Sequence, residues 1–106
     1  MSNLENGIIP SISTAENVSD YLKQLGDPSR LRIFWLLCKK TLCVTQIAEE
    51  VNMSSPAVSH HLRVLKSASL ISSKRNGKEM YYYAANTNMV KSLYLTIETI
   101  AKIVNV

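Results

Sequence analysis

Between Ser54 and Lys66 the chain reads SSPAVSHHLRVLK, and its polar residues fall on helical spacing. Ser55, Ser59 and Arg63 recur at i, i+4 and i+8, with His60 and Lys66 beside them and no carboxylate among them. Short hydroxyls let a helix sit deep in a DNA major groove, about 12 Å wide, and can donate or accept at base edges. An arginine on the same face can read guanine or pin a phosphate. A neutral His60 adds a hydrogen-bonding group and gains charge only as pH falls toward about 6.5. The same residues would also suit a capped, solvated surface helix, so the surrounding elements must decide. His61 lies nearer the apolar side and reads as a hydrogen-bonded, partly packed histidine.

Two other groups could do chemistry. Lys74, Arg75, Asn76, Gly77 and Lys78 put three cations around a tight-turn signal, which suits a phosphate backbone or minor groove as well as a solubilised hairpin tip. The only cysteines are Cys38 and Cys43, too few for a disulfide framework and not at zinc-finger spacing. They could form a redox pair or bind a trivalent arsenical. Lys39 and Lys40 would lower a thiol pKa if their ammonium groups came near it. The alternative is that Cys38 is a small core hydrophobe. An enzyme finds no support: there is no nucleophile–base pair, Gly-rich phosphate loop or paired carboxylate set, and both histidines lie in one helix.

The elements that must position these groups follow from caps and periodicity. Ser54 can cap a helix ending near Lys66, Pro56 falls in its first turn, and Val58, Leu62 and Leu65 give it an apolar face. A shorter helix over about Gln46–Val51, capped by Thr45, precedes it across a turn at Asn52-Met53. That spacing is a helix-turn-helix, with the second helix reading DNA. Upstream, Ser13 and Glu16 offer a capping box for a helix carrying Ala15, Val18, Leu22 and Leu25, stopped at Gly26 in a left-handed turn. Asp27 caps, and Pro28 begins, a strongly apolar helix to about Lys39, in which Trp35 is expected to pack. Lys39 and Lys40 suit its C-terminus by charge. Leu42-Cys43-Val44 is a short extended piece. After Leu70 the period changes: Ile71–Arg75 and Lys78–Ala84 read as strands around Asn76-Gly77, a β-hairpin wing. At least one of Tyr81, Tyr82 and Tyr83 should reach the core. Asn86 or Thr87 caps a last helix over about Asn88–Ile103.

That last helix is apolar on more than one side. Val90, Leu93, Tyr94, Ile97, Ile100 and Ala101 form a broad stripe that needs burial against more than one neighbour. Together with Val18 and Leu22 of the first helix it is expected to pair with a second copy. A two-fold dimer would set two reading helices about 34–36 Å apart and calls for a palindromic double-stranded DNA operator.

Composition agrees. The chain has 106 residues and a formal charge of +4. The first fifty residues carry a small net negative charge, whereas Arg63, Lys66, Lys74, Arg75, Lys78, Lys91 and Lys102 face only Glu79 and Glu98 in the rest. The positive charge collects where the reading helix and wing lie, which suits a polyanion. No signal peptide or bilayer-length apolar run is read, so the expectation is a cytoplasmic protein with no membrane partner. Residues 1–12 read as a loose arm before a single domain over 13–106.

From about Leu22 to Ala84 the chain resembles the ArsR/SmtB family of winged helix-turn-helix repressors. The likeness is closest at LGDPSRLRIFWLL, LCVTQIAEEV, MSSPAVSHHLRVLKSASLI and the wing RNGKEMYYY. It implies a mainly α fold of order α-α-(β)-α-α-β-β-α that dimerises on an operator and is released by an effector, commonly a metal or metalloid, in some members an oxidant or sulfane sulfur. It assigns DNA contact to Ser55, Ser59, His60 and Arg63 on the helix and to Arg75 and Lys78 on the wing; Ser54 and Lys66, which flank that set, are expected to contact DNA as well. The departures concern the effector. Where one family site has Cys-x-Cys, this chain has Cys43-Val44-Thr45, and a hydroxyl is a poor ligand for soft metals. The last helix, used by another site, has no histidine or aspartate. No familiar metal set is complete and no cofactor is expected. The favoured signal is thiol- or redox-reactive through Cys38 and Cys43, ahead of a metal or metalloid through Cys43. A non-DNA protein-interaction module on the same fold is the remaining alternative.

Overall fold

A computed structural model describes residues 9–105. Most of the arm read at residues 1–12 therefore lies outside the described residues. Among the described residues five helices and three short strands follow one another as α1 (Ile12–Gln24), α2 (Pro28–Leu37), β1 (Leu42–Cys43), α3 (Val44–Val51), α4 (Ser55–Ser67), β2 (Ile71–Asn76), β3 (Glu79–Ala84) and α5 (Asn88–Val104). This is the expected winged helix-turn-helix order, with β1 as a genuine strand.

The caps explain most boundaries. Asp27 accepts the N–H of Arg30 at 2.9 Å and Pro28 takes the first turn, where its missing donor costs nothing. Thr87 caps α5 by accepting from Val90 N–H. Two caps differ from the sequence reading. α1 starts earlier, at Ser11, whose hydroxyl accepts from Thr14 N–H at 3.2 Å, so Ser13 and Glu16 form no capping box. α3 begins from Cys43 rather than Thr45: the Gln46 side chain reaches back to accept the Cys43 N–H at 3.0 Å. Gly26 follows α1 without entering the left-handed region; among the described residues the glycine with positive φ is Gly77.

The core is buried Ile33, Phe34 and Leu37 of α2, Ile47 and Val51 of α3, Val58, Leu62 and Leu65 of α4, then Leu70, Ile71 and Val90. The strands form an antiparallel sheet of order β1-β3-β2. Leu42 pairs with Tyr82, and the hairpin runs in register from Ile71–Ala84 to Asn76–Glu79. Of the three tyrosines of β3, Tyr82 is the one packed against the core. The register makes the loop Gly77-Lys78, one residue later than the Asn76-Gly77 turn read from sequence. Gly77 has φ +68° and Lys78 does not have positive φ, the pattern of a tight II′ hairpin.

Candidate nucleic-acid interface

The two helices of the reading unit are joined through Asn52, at φ +56°, ψ +54°. Asparagine tolerates this left-handed geometry better than most side chains. Met53 N–H bonds back to Ala48 at 3.0 Å, closing the end of α3. Ser54 then starts α4, its hydroxyl accepting from Ala57 N–H at 3.3 Å. Burial of Val58, Leu62 and Leu65 fixes which side of α4 faces in. The opposite side carries the expected set: Ser54, His60 and Arg63 exposed, Ser55 and Ser59 half-buried. Among the described residues, no side-chain hydrogen bond or ion pair engages Ser55, Ser59, His60 or Arg63.

Lys66 behaves differently. Its ammonium donates to the Ser73 hydroxyl of β2 and so ties the end of α4 to the wing. On the wing, Arg75 and Lys78 are exposed, while Lys74 stands 5.9 Å from the centre of the Tyr83 ring. Nothing approaches within 4 Å of where a Gly77 side chain would begin, so the loop projects into open space.

His61 is half-buried, with Nδ1 3.4 Å from Nη1 of Arg30. Burial holds its pKa below the ordinary value, against a smaller opposing pull from Asp27. It is the hydrogen-bonded, partly packed histidine expected. The arginines of α2 were not foreseen as structural groups. Arg30 Nε donates to the carbonyl of Gln24 at 2.6 Å, the last residue of α1, and Arg32 Nη1 to that of Val51 at 3.1 Å, the last residue of α3. Each satisfies a helix-end carbonyl that lacks a partner within its own helix.

The residues assigned to pairing divide. Val18, Leu22 and Ile100 are 52–58 % exposed, and Leu95, Ile103 and Val104 more so. Leu93 and Ile97 are half-buried against the chain's own core, and Tyr94 and Ala101 are half-buried. Val90 is 4 % exposed, so its own core consumes it and it has no surface to offer a partner. Trp35 is half-buried rather than central, and its indole N–H donates to Glu98 of α5 at 2.8 Å, with Lys39 3.5 Å from the same oxygen. The indole hydrogen bond, chiefly, holds Glu98 below the usual carboxylate range.

The two thiols also part company. Burial, reinforced by the Glu98 charge, pushes Cys38 up to about 11, and the opposing pull of Lys39 is smaller. The expectation that neighbouring lysines would acidify it fails there. Cys43 is 5 % exposed, and its Sγ lies 3.3 Å from the Thr45 hydroxyl. That contact, then the backbone at Gln46, lowers its pKa. Among the described residues no three His, Cys, Asp or Glu side chains gather as a metal site, and no helix is long and apolar enough to cross a membrane.

A free, acid-poor face on the second of two helices, with a basic hairpin beside it, defines a winged helix-turn-helix DNA-binding regulator. The family model described as bacterial regulatory protein, arsR family, matches residues 27–73. The chain is 38 % identical to the transcriptional repressor SmtB homolog of Synechocystis sp. over 81 % of its own length and 64 % of that protein's. It is also 38 % identical to the transcriptional repressor SdpR of Bacillus subtilis, over 70 % and 81 % of the two chains. Among solved structures it resembles the homodimeric winged helix-turn-helix DNA-binding domain Mb0332 of Mycobacterium bovis, with TM-score 0.73 and 26 % identity over 96 % and 88 % of the chains. The chain belongs to the ArsR family of DNA-binding transcriptional regulators, and these relatives are regulators rather than enzymes.

Proposed function

We propose that the chain represses transcription in the cytoplasm as a homodimer on a palindromic operator, with α4 in the major groove and the wing on the flanking backbone. The observation that carries this reading is the unengaged set Ser55, Ser59, His60 and Arg63, held outward by the burial of Val58, Leu62 and Leu65. Exposed apolar residues on α1 and α5 support pairing, because rows of this kind mark interaction surfaces. The homodimeric state of the Mb0332 domain supports it too. The test is selection of duplexes from a randomised pool, followed by footprinting and mass measurement of the complex. Two protected half-sites about one DNA turn apart on one dimer are expected. A monomer on a single half-site would overturn the proposal.

The release signal we propose is thiol-directed and acts at Cys43, whose thiol is the more acidic of the two. Peroxide treatment should weaken operator binding in the wild type and in Cys38→Ser but not in Cys43→Ser. Equal responses in all three would remove the thiol reading.

A further inference from the structure

We infer that Arg30 locks the recognition helix α4 to the pairing helix α1 and thereby sets the half-site spacing the dimer accepts. The inference rests on the operator reading above. Arg30 touches three elements at once. Its own backbone N–H is fixed by Asp27 at the start of α2, Nε holds the Gln24 carbonyl at the end of α1, and Nη1 faces Nδ1 of His61 in the middle of α4. A guanidinium can do this because its donors leave a rigid plane in different directions; an ammonium is a compact point charge without that fork. The charged groups that face His61 are Asp27, which attracts, and Arg30 and His60, which repel. With the ring neutral, Nδ1 accepts and Nε2 carries the proton.

This contact matters because α1 is held to its own domain lightly. None of its residues is fully buried, and Tyr21 near its end and Leu25 just beyond it are the side chains packed on the core. Its exposed Val18 and Leu22 belong to the proposed pairing surface, so the angle between α1 and α4 fixes where each reading helix lies relative to the two-fold axis. One base pair inserted between half-sites rotates one of them by about a tenth of a turn. A rigid link rejects that change, and a loose one accepts it.

The test uses the full chain and the selected duplex, with versions carrying one base pair more or fewer between half-sites. Wild type should lose about ten-fold in affinity on either change, the scale of one directed contact. Arg30→Lys and His61→Phe should flatten that preference to below about three-fold. The double variant should be no flatter than either single change, because each already severs the same α1–Arg30–α4 link. His61→Asn, whose amide oxygen can stand near Nδ1, should keep the wild-type profile. An unchanged preference in Arg30→Lys and His61→Phe, or multiplying losses in the double variant, overturns the inference. Should Arg30→Lys fail to fold, the His61→Asn and His61→Phe pair decides alone, and identical profiles refute it. A wild-type footprint without two half-sites sinks the operator reading and this inference together, whereas an intact footprint with insensitive variants sinks this one only.

Discussion

Lys78→Ala isolates the wing's electrostatic part. Lys78 is exposed in the two-residue loop after Gly77, and no hydrogen bond or ion pair among the described residues holds its ammonium. Its removal should therefore leave thermal melting unchanged and act on DNA alone. Each phosphate neutralised contributes about 0.9 to the slope of log affinity against log salt. A dimer places two copies of Lys78 on DNA, so the variant's slope should be shallower by about 1.8. Between 50 and 200 mM salt, a four-fold rise, that difference makes the variant's handicap shrink by about twelve-fold. The assay is fluorescence anisotropy on a labelled duplex across that salt range, with the selected operator and a random sequence side by side. Both duplexes should be weakened alike, because a phosphate carries no sequence. Parallel lines for wild type and variant would show that Lys78 meets no phosphate. A loss confined to the operator would place it at a base edge instead.

Arg63→Ala should cost operator binding about 1–3 kcal/mol per copy while dimer mass and melting stay put, since the exposed side chain makes no hydrogen bond or ion pair among the described residues; an unmoved operator titration would take Arg63 off the interface. Leu65→Ala, at a side chain with no exposed surface, should destabilise the fold by about 2–5 kcal/mol in urea unfolding, and a loss under about 1 kcal/mol would mean that the core closes over the gap. Ser69 sits at φ +62° after α4, where a side chain costs roughly 1–2 kcal/mol and glycine nothing. Glycine's greater unfolded freedom returns about 0.5–1 kcal/mol of that, so Ser69→Gly should raise the melting temperature slightly, and a fall would contradict the strain. With its pKa at about 11, Cys38 should resist alkylation, with only about 1 % thiolate at pH 9. Because the folded chain holds this proton more tightly than the unfolded one, the stabilisation is intact below the ordinary thiol pKa and is lost as pH rises toward about 11. Fast alkylation of native Cys38 at pH 8, mapped by mass spectrometry, would overturn that burial.

Much of this architecture was legible because local rules act within a few residues. Ser54 with Pro56, Asp27 with Pro28, and the 3.6-residue rows of α4 and α5 each announce their own element. The failures came where two local options compete or where the partner is distant. Ser11 and Ser13 are both good caps, and which one wins depends on where the chain enters the helix. Cys43 is a poor cap by residue type, and its position is set by pairing with Tyr81 in the sheet. Both Asn76-Gly77 and Gly77-Lys78 are sound turns, and the register of six cross-strand pairs chose the second. Val90 looked like the other apolar residues of α5 because periodicity gives a stripe's direction and not how far the core beneath it reaches. Arg30 and Arg32 were invisible as helix caps, since nothing within their own helix marks a carbonyl on a neighbour. The face of α4 was the easiest part to find, because leaving it unengaged requires only that its other side be apolar.

The same contrast explains how so small a core can aim a reading helix. Ile33, Phe34 and Leu37 give α2 a place in the centre, but apolar burial is non-directional and tolerates rotation. Direction comes from three polar side chains on one helix. Arg30 takes the end of α1 and His61 of α4, Arg32 the end of α3, and Trp35 the Glu98 carboxylate of α5. Arg32 is the most telling of these, because the Val51 carbonyl it holds immediately precedes left-handed Asn52, the residue that turns the chain from α3 into α4. The angle between the two helices of the reading unit is therefore braced from outside that unit. Exchanging apolar core residues of similar volume should alter stability more than aim, whereas trimming an α2 arginine alters aim more than stability.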